Sequence, residues 1–177
     1  MPARDDNAMK VLGLAGWSGS GKTTLLVALL PLLVARGLTV STVKHAHHSF
    51  DVDRPGKDSF RHRAAGASEV LIASAQRWAL MHEHRGADEP DLQTLLAHVS
   101  PVDLILVEGF KHERHAKIEV HRAALGQPLL CREDPSVIAL ATDAAPDGVE
   151  LPVLDLNDIE AVAGFVADYA RSGERAA

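Results

Sequence analysis

A loop of eight residues between an apolar strand pattern and an apolar helix pattern constrains the fold of this chain most. Residues 11–15 form a short apolar run typical of a buried parallel strand, and residues 22–36 are rich in Leu and Ala. Between them, residues 16–23 read Gly-Trp-Ser-Gly-Ser-Gly-Lys-Thr, which matches the pattern G-x-x-x-x-G-K-[ST] in full. A strand, this loop and a helix in direct succession predict a phosphate-binding loop.

The residue types of this loop explain how it can bind phosphate. Its glycines let consecutive backbone N–H groups turn inward around a phosphate, in conformations that side chains would obstruct. Lys22 would bring its charge to the β- and γ-phosphate oxygens and serve catalysis, while Thr23 would offer its hydroxyl to Mg²⁺. The alternative is a glycine loop that only turns the chain. The predicted nucleotide contacts in this segment are Gly16, Ser18, Gly19, Ser20, Gly21, Lys22, Thr23 and Thr24.

The rest of the chain alternates strand and helix patterns. Residues 38–43 follow the first helix as a second strand, which completes a βαβ unit. Two segments joined by a tight turn, 69–73 and 77–82, predict an antiparallel hairpin. We therefore predict an α/β fold, a P-loop NTPase-like three-layer sandwich with a mainly parallel sheet and an inserted β-hairpin. The other predicted strands are 103–107, 117–121, 137–141 and 152–154, and the other predicted helices are 58–66 with Asp58 as N-cap, 91–99, and 157–170 with Asn157 as N-cap.

Composition and charge exclude several classes of protein. With 177 residues, of which 46% are apolar, the chain suits one domain, which we expect to span residues 10–170. Residues 1–9 are predicted to form a disordered extension and residues 171–177 a flexible tail. The net charge of −6 argues against binding along nucleic acid, and no uninterrupted run of 18 apolar residues is present to span a membrane. Because Cys131 is the only cysteine, no internal disulfide or cysteine-based metal cluster can form, and we expect a cytoplasmic protein.

The end of a second apolar strand offers the acidic group that Mg²⁺ binding requires. Residues 104–107 are Leu-Ile-Leu-Val, and Glu108 and Gly109 follow directly. The carboxylate of Glu108 could reach the metal directly or through water, so we predict that Glu108 and Thr23 are the metal ligands. The alternative is a surface glutamate that closes the strand.

A polar loop with three histidines begins where the second strand ends. Lys44 and His45 could contact phosphate or substrate, and Lys44 is included among the predicted nucleotide-binding residues. Asp51 or Asp53 could bind Mg²⁺ or orient the attacking water, and Asp53 is the predicted catalytic carboxylate. The histidines could bind a transition metal, but no thiolate is close in sequence, and a solvated loop is the favoured interpretation.

Two further polar segments could serve the nucleotide. Residues 56–59, Gly-Lys-Asp-Ser, together with Arg61 and Arg63 could bind a second phosphate or form a solvated helix face. Asp143 follows an apolar strand and could accept hydrogen bonds from N1–H and the 2-amino group of guanine, which adenine does not offer. The alternative for Asp143 is a residue that only starts a turn.

Taken together, five segments resemble the molybdopterin-guanine dinucleotide biosynthesis protein B family, MobB. The phosphate loop alone is shared by many NTPases, whereas the histidine loop, the Gly-Lys-Asp-Ser segment and residues 107–111 (Val-Glu-Gly-Phe-Lys) are more particular. Residues 117–122, Lys-Ile-Glu-Val-His-Arg, complete the resemblance. The resemblance implies that Glu108 is the family's acidic residue at a strand end. It also implies that Thr142 and Asp143 are the family's guanine-binding pair.

The resemblance also implies a function. It implies a GTP-binding accessory protein of molybdenum cofactor biosynthesis, a cytoplasmic homodimer that uses Mg²⁺ and hydrolyses GTP slowly at most. The implied partners are the MobA-type guanylyltransferase, which couples GMP to molybdopterin, and molybdopterin itself. The residues leave two alternatives open: a P-loop kinase with Lys44 and Asp53 in its acceptor site, and a metallochaperone GTPase, which the lone Cys131 disfavours.

Overall fold

The computed structural model describes residues 9–46 and 50–172, which form two compact units. The first unit combines the chain before residue 46 with the chain after residue 97, and the second unit is the segment between them. The predicted extension and tail lie mostly outside the described residues, as do His47 and His48 of the histidine loop. The limits of a single domain, residues 10–170, stay a prediction.

The described residues form eight strands, four helices and two 3₁₀ turns. None of these helices is long and apolar enough to cross a membrane. The strands are β1 (Lys10–Ala15), β2 (Val40–Lys44), β3 (Glu69–Ala73), β4 (Trp78–His82), β5 (Leu104–Glu108), β6 (Lys117–His121), β7 (Val137–Thr142) and β8 (Val153–Asp155). The helices are α1 (Lys22–Ala35), α2 (Asp58–Ala64), α3 (Leu92–Leu96) and α4 (Ile159–Arg171), and the 3₁₀ turns are Ala123–Leu125 and Leu130–Arg132.

The first unit contains a six-stranded sheet in the order β2-β5-β1-β6-β7-β8, in which every neighbouring pair is parallel. Gly13 of β1 lies opposite Val107 on one side and Lys117 on the other, so β1 is an interior strand. The carboxyl ends of all six strands therefore meet at one edge, which we call the carboxyl edge. The predicted mainly parallel sheet is confirmed, as is the inserted antiparallel hairpin, formed by β3 and β4.

One face of this sheet is covered by α1 and α4. Because side chains alternate across a strand, Leu12 and Leu14 of β1 lie on the same face, and both are fully buried with Leu29 and Leu33 of α1. Burying each of these leucines contributes about 1.5–3 kcal/mol relative to leaving it exposed. The same cluster includes Leu104, Leu106, Ile118, Val120, Ala139, Ala141, Val162, Ala163 and Val166.

The opposite face of the sheet buries charged side chains. Lys117 of β6 is 1% exposed, and its Nζ donates to Glu113 O at 2.6 Å, Asp134 Oδ2 at 3.0 Å and Ser136 Oγ at 2.6 Å. Because an ammonium group carries three N–H donors, the whole hydrogen-bonding capacity of Lys117 is used. The segment between β6 and β7 is thereby tied to the sheet.

Glu119, two residues further along β6, lies on the same face and is fully buried. Its Oε1 and Oε2 accept hydrogen bonds from the backbone N–H groups of Leu130 and Cys131, each at 2.8 Å. These bonds hold the second 3₁₀ turn against the sheet. Burial, with the Glu119 carboxylate adjacent, raises the pKa of the Cys131 thiol to about 11, so this thiol stays protonated at neutral pH.

His115 is buried on this same face and lines a cavity of about 790 Å³. Its ring packs against Gly13 of β1, where a Cβ atom would collide with Nε2. Neither ring nitrogen makes a hydrogen bond within the described residues. Burial, reinforced by the charge of Lys117, lowers the pKa of His115 to about 4, so its imidazole is neutral at neutral pH.

The second unit is organised around the guanidinium of Arg63, a residue in the last turn of α2. Arg63 donates from Nη1 to Glu83 Oε1 at 2.9 Å and from Nη2 to Asp51 Oδ2 at 2.8 Å. Its Nε lies 3.4 Å from Asp53 Oδ2, and the Arg63 side chain is 17% exposed. The arginine predicted as part of a second phosphate site is therefore paired with three carboxylates.

The hairpin of the second unit has one buried and one exposed side. Val70 and Met81 are paired across the two strands and buried. Leu71, Leu80 and Trp78 lie on the other side of the ribbon and are 61%, 43% and 64% exposed. Three large apolar side chains of the hairpin thus face outward from the second unit.

Two predicted helix caps are wrong. Asp158, and not Asn157, caps α4, because Asp158 Oδ1 accepts a hydrogen bond from Ala161 N–H at 3.0 Å. Asn157 instead donates its N–H to Asp155 Oδ1, two residues earlier. Asp58 is the first helical residue of α2, and the preceding lysine occupies the cap position without a side-chain bond. The third predicted helix, 91–99, is shorter than predicted, because α3 ends at Leu96.

We expect that protonation of His115 destabilises the fold in mild acid. The folded-state pKa lies below the value of about 6.5 for an unfolded chain, so the unfolded state gains the proton first as pH falls. Between pH 7.5 and pH 5, the free energy of unfolding of the wild type should fall by about 2 kcal/mol more than that of His115→Gln. Urea unfolding measures this difference. The exposed His112 provides the control, since His112→Gln should retain the pH dependence of the wild type. Parallel pH profiles for wild type and His115→Gln would contradict the expectation.

Candidate functional site

The loop between β1 and α1 adopts a conformation that requires glycine at three positions. Gly16, Gly19 and Gly21 have φ angles of 144°, 80° and 96°, in a region that other residues rarely adopt. A Cβ atom on Gly16 would also collide with the carbonyl oxygen of Val120 in β6. The glycines of the motif therefore set the path of the loop along the carboxyl edge.

Lys22, the first residue of α1, folds back over this loop. Its Nζ donates to the carbonyl oxygens of Gly16 and Trp17, both at 2.9 Å. Burial is the largest influence on this ammonium and lowers the pKa of Lys22, while the Glu108 carboxylate acts in the opposite direction. The carbonyl oxygens of the loop thus hold Lys22, the lysine predicted to bind phosphate, next to the loop.

Thr23 and Glu108, the two predicted metal ligands, are in direct contact. Thr23 Oγ1 donates to Glu108 Oε1 at 2.6 Å, and Lys44 Nζ lies 3.6 Å from Glu108 Oε2. This follows from strand order, because β5 pairs with β1 on one side and β2 on the other. A hydroxyl and a carboxylate are the oxygen ligands that Mg²⁺ prefers beside phosphate oxygens and water, so this donor pair fits that ion.

Residues beyond the motif support the loop from the segment between β5 and β7. Trp17 donates from Nε1 to Pro128 O at 2.8 Å, and Lys111 Nζ lies 5.7 Å from the centroid of its indole ring. His45, which follows β2, stacks on Phe110, which follows β5, with ring centroids 4.6 Å apart. Trp17 is consequently a packing residue of the loop in this structure.

Arg122 lies at the phosphate loop and was not predicted from the sequence. It follows β6 directly, and its Nε and Nη2 lie 3.6 Å from the position that a Cβ atom on Gly21 would occupy. Its Nη1 is 3.5 Å from Asp143 Oδ2. Arg122 ends the segment 117–122 that resembles the MobB family, but its position at the loop follows only once β6 is known to pair with β1.

Thr142 and Asp143, the predicted guanine-binding pair, already have partners within the protein. Asp143 Oδ1 accepts a hydrogen bond from Ala123 N–H at 2.9 Å, and this bond is the main cause of the lowered pKa of Asp143. Thr142 is buried, and its Oγ1 donates to Ala144 O at 3.0 Å. Their role in guanine binding stays a prediction.

Asp53, the predicted catalytic carboxylate, belongs to the second unit. Its Oδ1 accepts hydrogen bonds from Ser59 Oγ at 2.8 Å and from Arg54 N–H at 2.9 Å, while Oδ2 faces Arg63. Asp53 thus takes part in the ion cluster of that unit, and its catalytic role stays a prediction. Within the described residues, no group of three His, Cys, Asp or Glu side chains could hold a metal.

Fold and loop together define a class of protein. A parallel sheet, a G-x-x-x-x-G-K-T loop after an interior strand, and an acidic residue at the end of the neighbouring strand are features of the P-loop NTPase-like fold. The family model described as Molybdopterin guanine dinucleotide synthesis protein B, MobB, matches residues 11–143. The chain belongs to the MobB family.

Individual relatives agree with this assignment. The chain is 49% identical to the molybdopterin-guanine dinucleotide biosynthesis adapter protein of Escherichia coli (strain K12), over 90% of this chain and 92% of that protein. It is 42% identical to the protein of the same name from Haemophilus influenzae (strain ATCC 51907 / DSM 11121 / KW20 / Rd), over 93% and 91% of the two chains. The crystal structure of a MobB protein homolog from Bacillus stearothermophilus matches with a TM-score of 0.69 at 25% identity, covering 92% of this chain and 99% of that one.

The predicted site for GTP and Mg²⁺ makes a test possible: Glu108→Gln should weaken Mg²⁺-dependent binding of GTP selectively. The amide keeps the size of the side chain but loses the charge that a metal ligand supplies, and a contact to a charged group is typically worth about 1.5–3 kcal/mol. Titration calorimetry should therefore give roughly a tenfold or greater loss of GTP affinity with Mg²⁺ present, and a smaller loss in EDTA. Exposed Glu133 of the same unit supplies the matched control, Glu133→Gln. Equal losses in both buffers would make Glu108 a structural strand end.

Proposed function

We propose that this chain is a GTP-binding adapter protein of molybdopterin guanine dinucleotide biosynthesis in the cytoplasm. Its proposed partners are the MobA-type guanylyltransferase and molybdopterin. The observation that carries the proposal is the contact of Thr23 with Glu108 beside the glycine loop, in a chain of the MobB family. The relatives named as adapter proteins support the adapter role.

The charges of the carboxyl edge favour a polyphosphate, although the chain as a whole carries a net charge of −6. Lys22 at the loop, Lys44 at the end of β2 and Arg122 at the end of β6 place three cations at this edge. Backbone N–H groups of the loop and the N-terminus of α1 add positive potential. Local charge, and not net charge, supports nucleotide binding.

Mg²⁺ would be held by Thr23 Oγ1 and Glu108 together with phosphate oxygens. The ion would supply positive charge to the phosphate oxygens when bound. The residues of this chain then have separate tasks: Lys22 neutralises phosphate charge, and Glu108 keeps the threonine hydroxyl oriented. We propose slow hydrolysis at most, since Asp53, the predicted carboxylate for the attacking water, is engaged by Arg63 in the second unit.

We also propose that two copies of the chain form a homodimer through the exposed side of the hairpin. An isolated two-stranded ribbon is only marginally stable in water, and it gains stability when its apolar side is covered. Leu71, Leu80 and Trp78 supply such a side. A two-fold axis would let the same surface of each copy cover the other.

Lys22→Ala should weaken GTP binding without lowering the stability of the fold. Among the described residues, its ammonium donates only to loop carbonyls, so it serves no apolar core. The loss of a charged contact to phosphate predicts roughly 10- to 100-fold weaker binding. Titration calorimetry with GTP and ATP measures this change, and the wild type is expected to bind GTP more tightly. Arg114→Ala, a change at an exposed cation of the first unit, should leave both affinities unchanged. An unchanged affinity of Lys22→Ala for GTP would contradict the assignment of residues 16–23 as a phosphate-binding loop.

Replacing the apolar side of the hairpin by serine should shift the dimer to monomer. The double variant Leu71→Ser, Trp78→Ser removes two exposed apolar side chains without changing the buried pair Val70 and Met81. Sedimentation velocity should show a dimer for wild type and a monomer for the variant at the same concentration. Leu125→Ser, at an exposed leucine of the first unit, is the control and should stay dimeric. A monomeric wild type, or a variant that remains a dimer, would refute the proposed interface.

A further inference from the structure

Arg122 occupies a position from which it can reach a ligand in the phosphate loop. It follows the last residue of β6, and β6 is the neighbour of β1, whose carboxyl end begins the loop. The guanidinium lies against Gly21, with Nε and Nη2 each 3.6 Å from the position of a Cβ atom there. The guanidinium of Arg122 therefore lies within van der Waals reach of the phosphate loop at Gly21.

Asp143 holds this arginine in place from the next strand. Its Oδ1 accepts from the N–H of Ala123, the residue after Arg122, at 2.9 Å, while Oδ2 lies 3.5 Å from Arg122 Nη1. The carboxylate thereby links the end of β7 to the end of β6. Because one oxygen is fixed by backbone, the orientation of the other toward Arg122 is fixed as well.

Most donors of Arg122 remain available for a ligand. A guanidinium has five N–H donors, and among residues 9–46 and 50–172 only Nη1 faces a protein acceptor, at the long distance of 3.5 Å. Within the described part of the chain, Nε and Nη2 make no hydrogen bond, and the side chain is 39% exposed. The fork of a guanidinium matches two oxygens of one phosphate group.

We propose that Arg122 binds the phosphates of the nucleotide and that Asp143 is its positioning residue, acting on phosphate binding and not on choice of base. This inference rests on the proposed nucleotide site of the phosphate loop. The position of Asp143 supports it, because β7 is separated from β1 by β6, and strands of a sheet are spaced about 4.8 Å apart. Arg122, on the nearer strand, can span the distance to the loop that Asp143 does not.

The first test compares Arg122 variants by calorimetry with GTP and ATP in Mg²⁺. Arg122→Gln should weaken both nucleotides by the same factor, roughly tenfold or more, and Arg122→Lys should recover part of the loss because it keeps the charge without the fork. Arg132→Gln, at an exposed arginine of the first unit, should bind as wild type. Thermal melts without nucleotide check folding. Unchanged binding in a folded Arg122→Gln protein would overturn the inference.

The second test separates positioning from base reading. Asp143→Asn should weaken GTP and ATP equally, and the double variant with Arg122→Gln should be no weaker than Arg122→Gln alone, because Asp143 acts through the arginine. If Asp143 instead binds guanine, Asp143→Asn should lose affinity for GTP but not for ATP. It should also gain affinity for xanthosine triphosphate, whose 2-oxo group accepts a hydrogen bond from the new amide. That selective outcome would overturn the inference and leave the nucleotide site intact. If wild type bound no nucleotide, or Lys22→Ala bound as wild type, the proposed function itself would fail.

Discussion

The parallel pairing of β5 with both β1 and β2 is the constraint on which the candidate site depends. Each strand ends at the same edge, so the residues that follow it are brought together whatever their separation in sequence. Glu108 ends β5, and this pairing places it beside Lys44 of β2 and beside the loop that leads from β1 to Thr23, although these residues are 64 and 85 positions away in the chain. Loss of this register by one residue would turn Glu108 to the other face of the sheet.

The polar groups buried on the other side of the sheet have a consequence for the same site. Lys117 donates to Asp134 and Ser136, and both carboxylate oxygens of Glu119 accept from backbone N–H groups, so these bonds fix the segment between β6 and β7. That segment includes Pro128, whose carbonyl accepts the indole N–H of Trp17 in the phosphate loop. A buried charge costs free energy unless it is compensated, and here the compensation orders the chain that supports the loop.

Local patterns in the sequence were sufficient for the features that depend on neighbouring residues. The P-loop NTPase-like fold, the strand and helix that flank the glycine loop, the hairpin and membership of the MobB family were all predicted and are confirmed. The cap of α4 was wrong by one residue because Asn157 and Asp158 can both cap, and only the geometry selects between them. Arg122 was missed because its position depends on β6 lying beside β1, which no local pattern encodes.

Two cations of the candidate site already face carboxylates at the position where the phosphates of a nucleotide are proposed to bind. Lys44 faces Glu108 and Arg122 faces Asp143, at 3.6 Å and 3.5 Å, distances longer than direct hydrogen bonds between charged groups. Lys44 is not held tightly, so it can turn to phosphate oxygens at small cost, while Arg122 stays with Asp143 through Nη1 and reaches the loop through Nε and Nη2. Glu108 then lies beside a polyphosphate of like charge, a repulsion that a divalent cation between them would relieve. Metal and nucleotide binding are therefore expected to be coupled at Glu108, while Asp143 is bonded to the backbone N–H of Ala123.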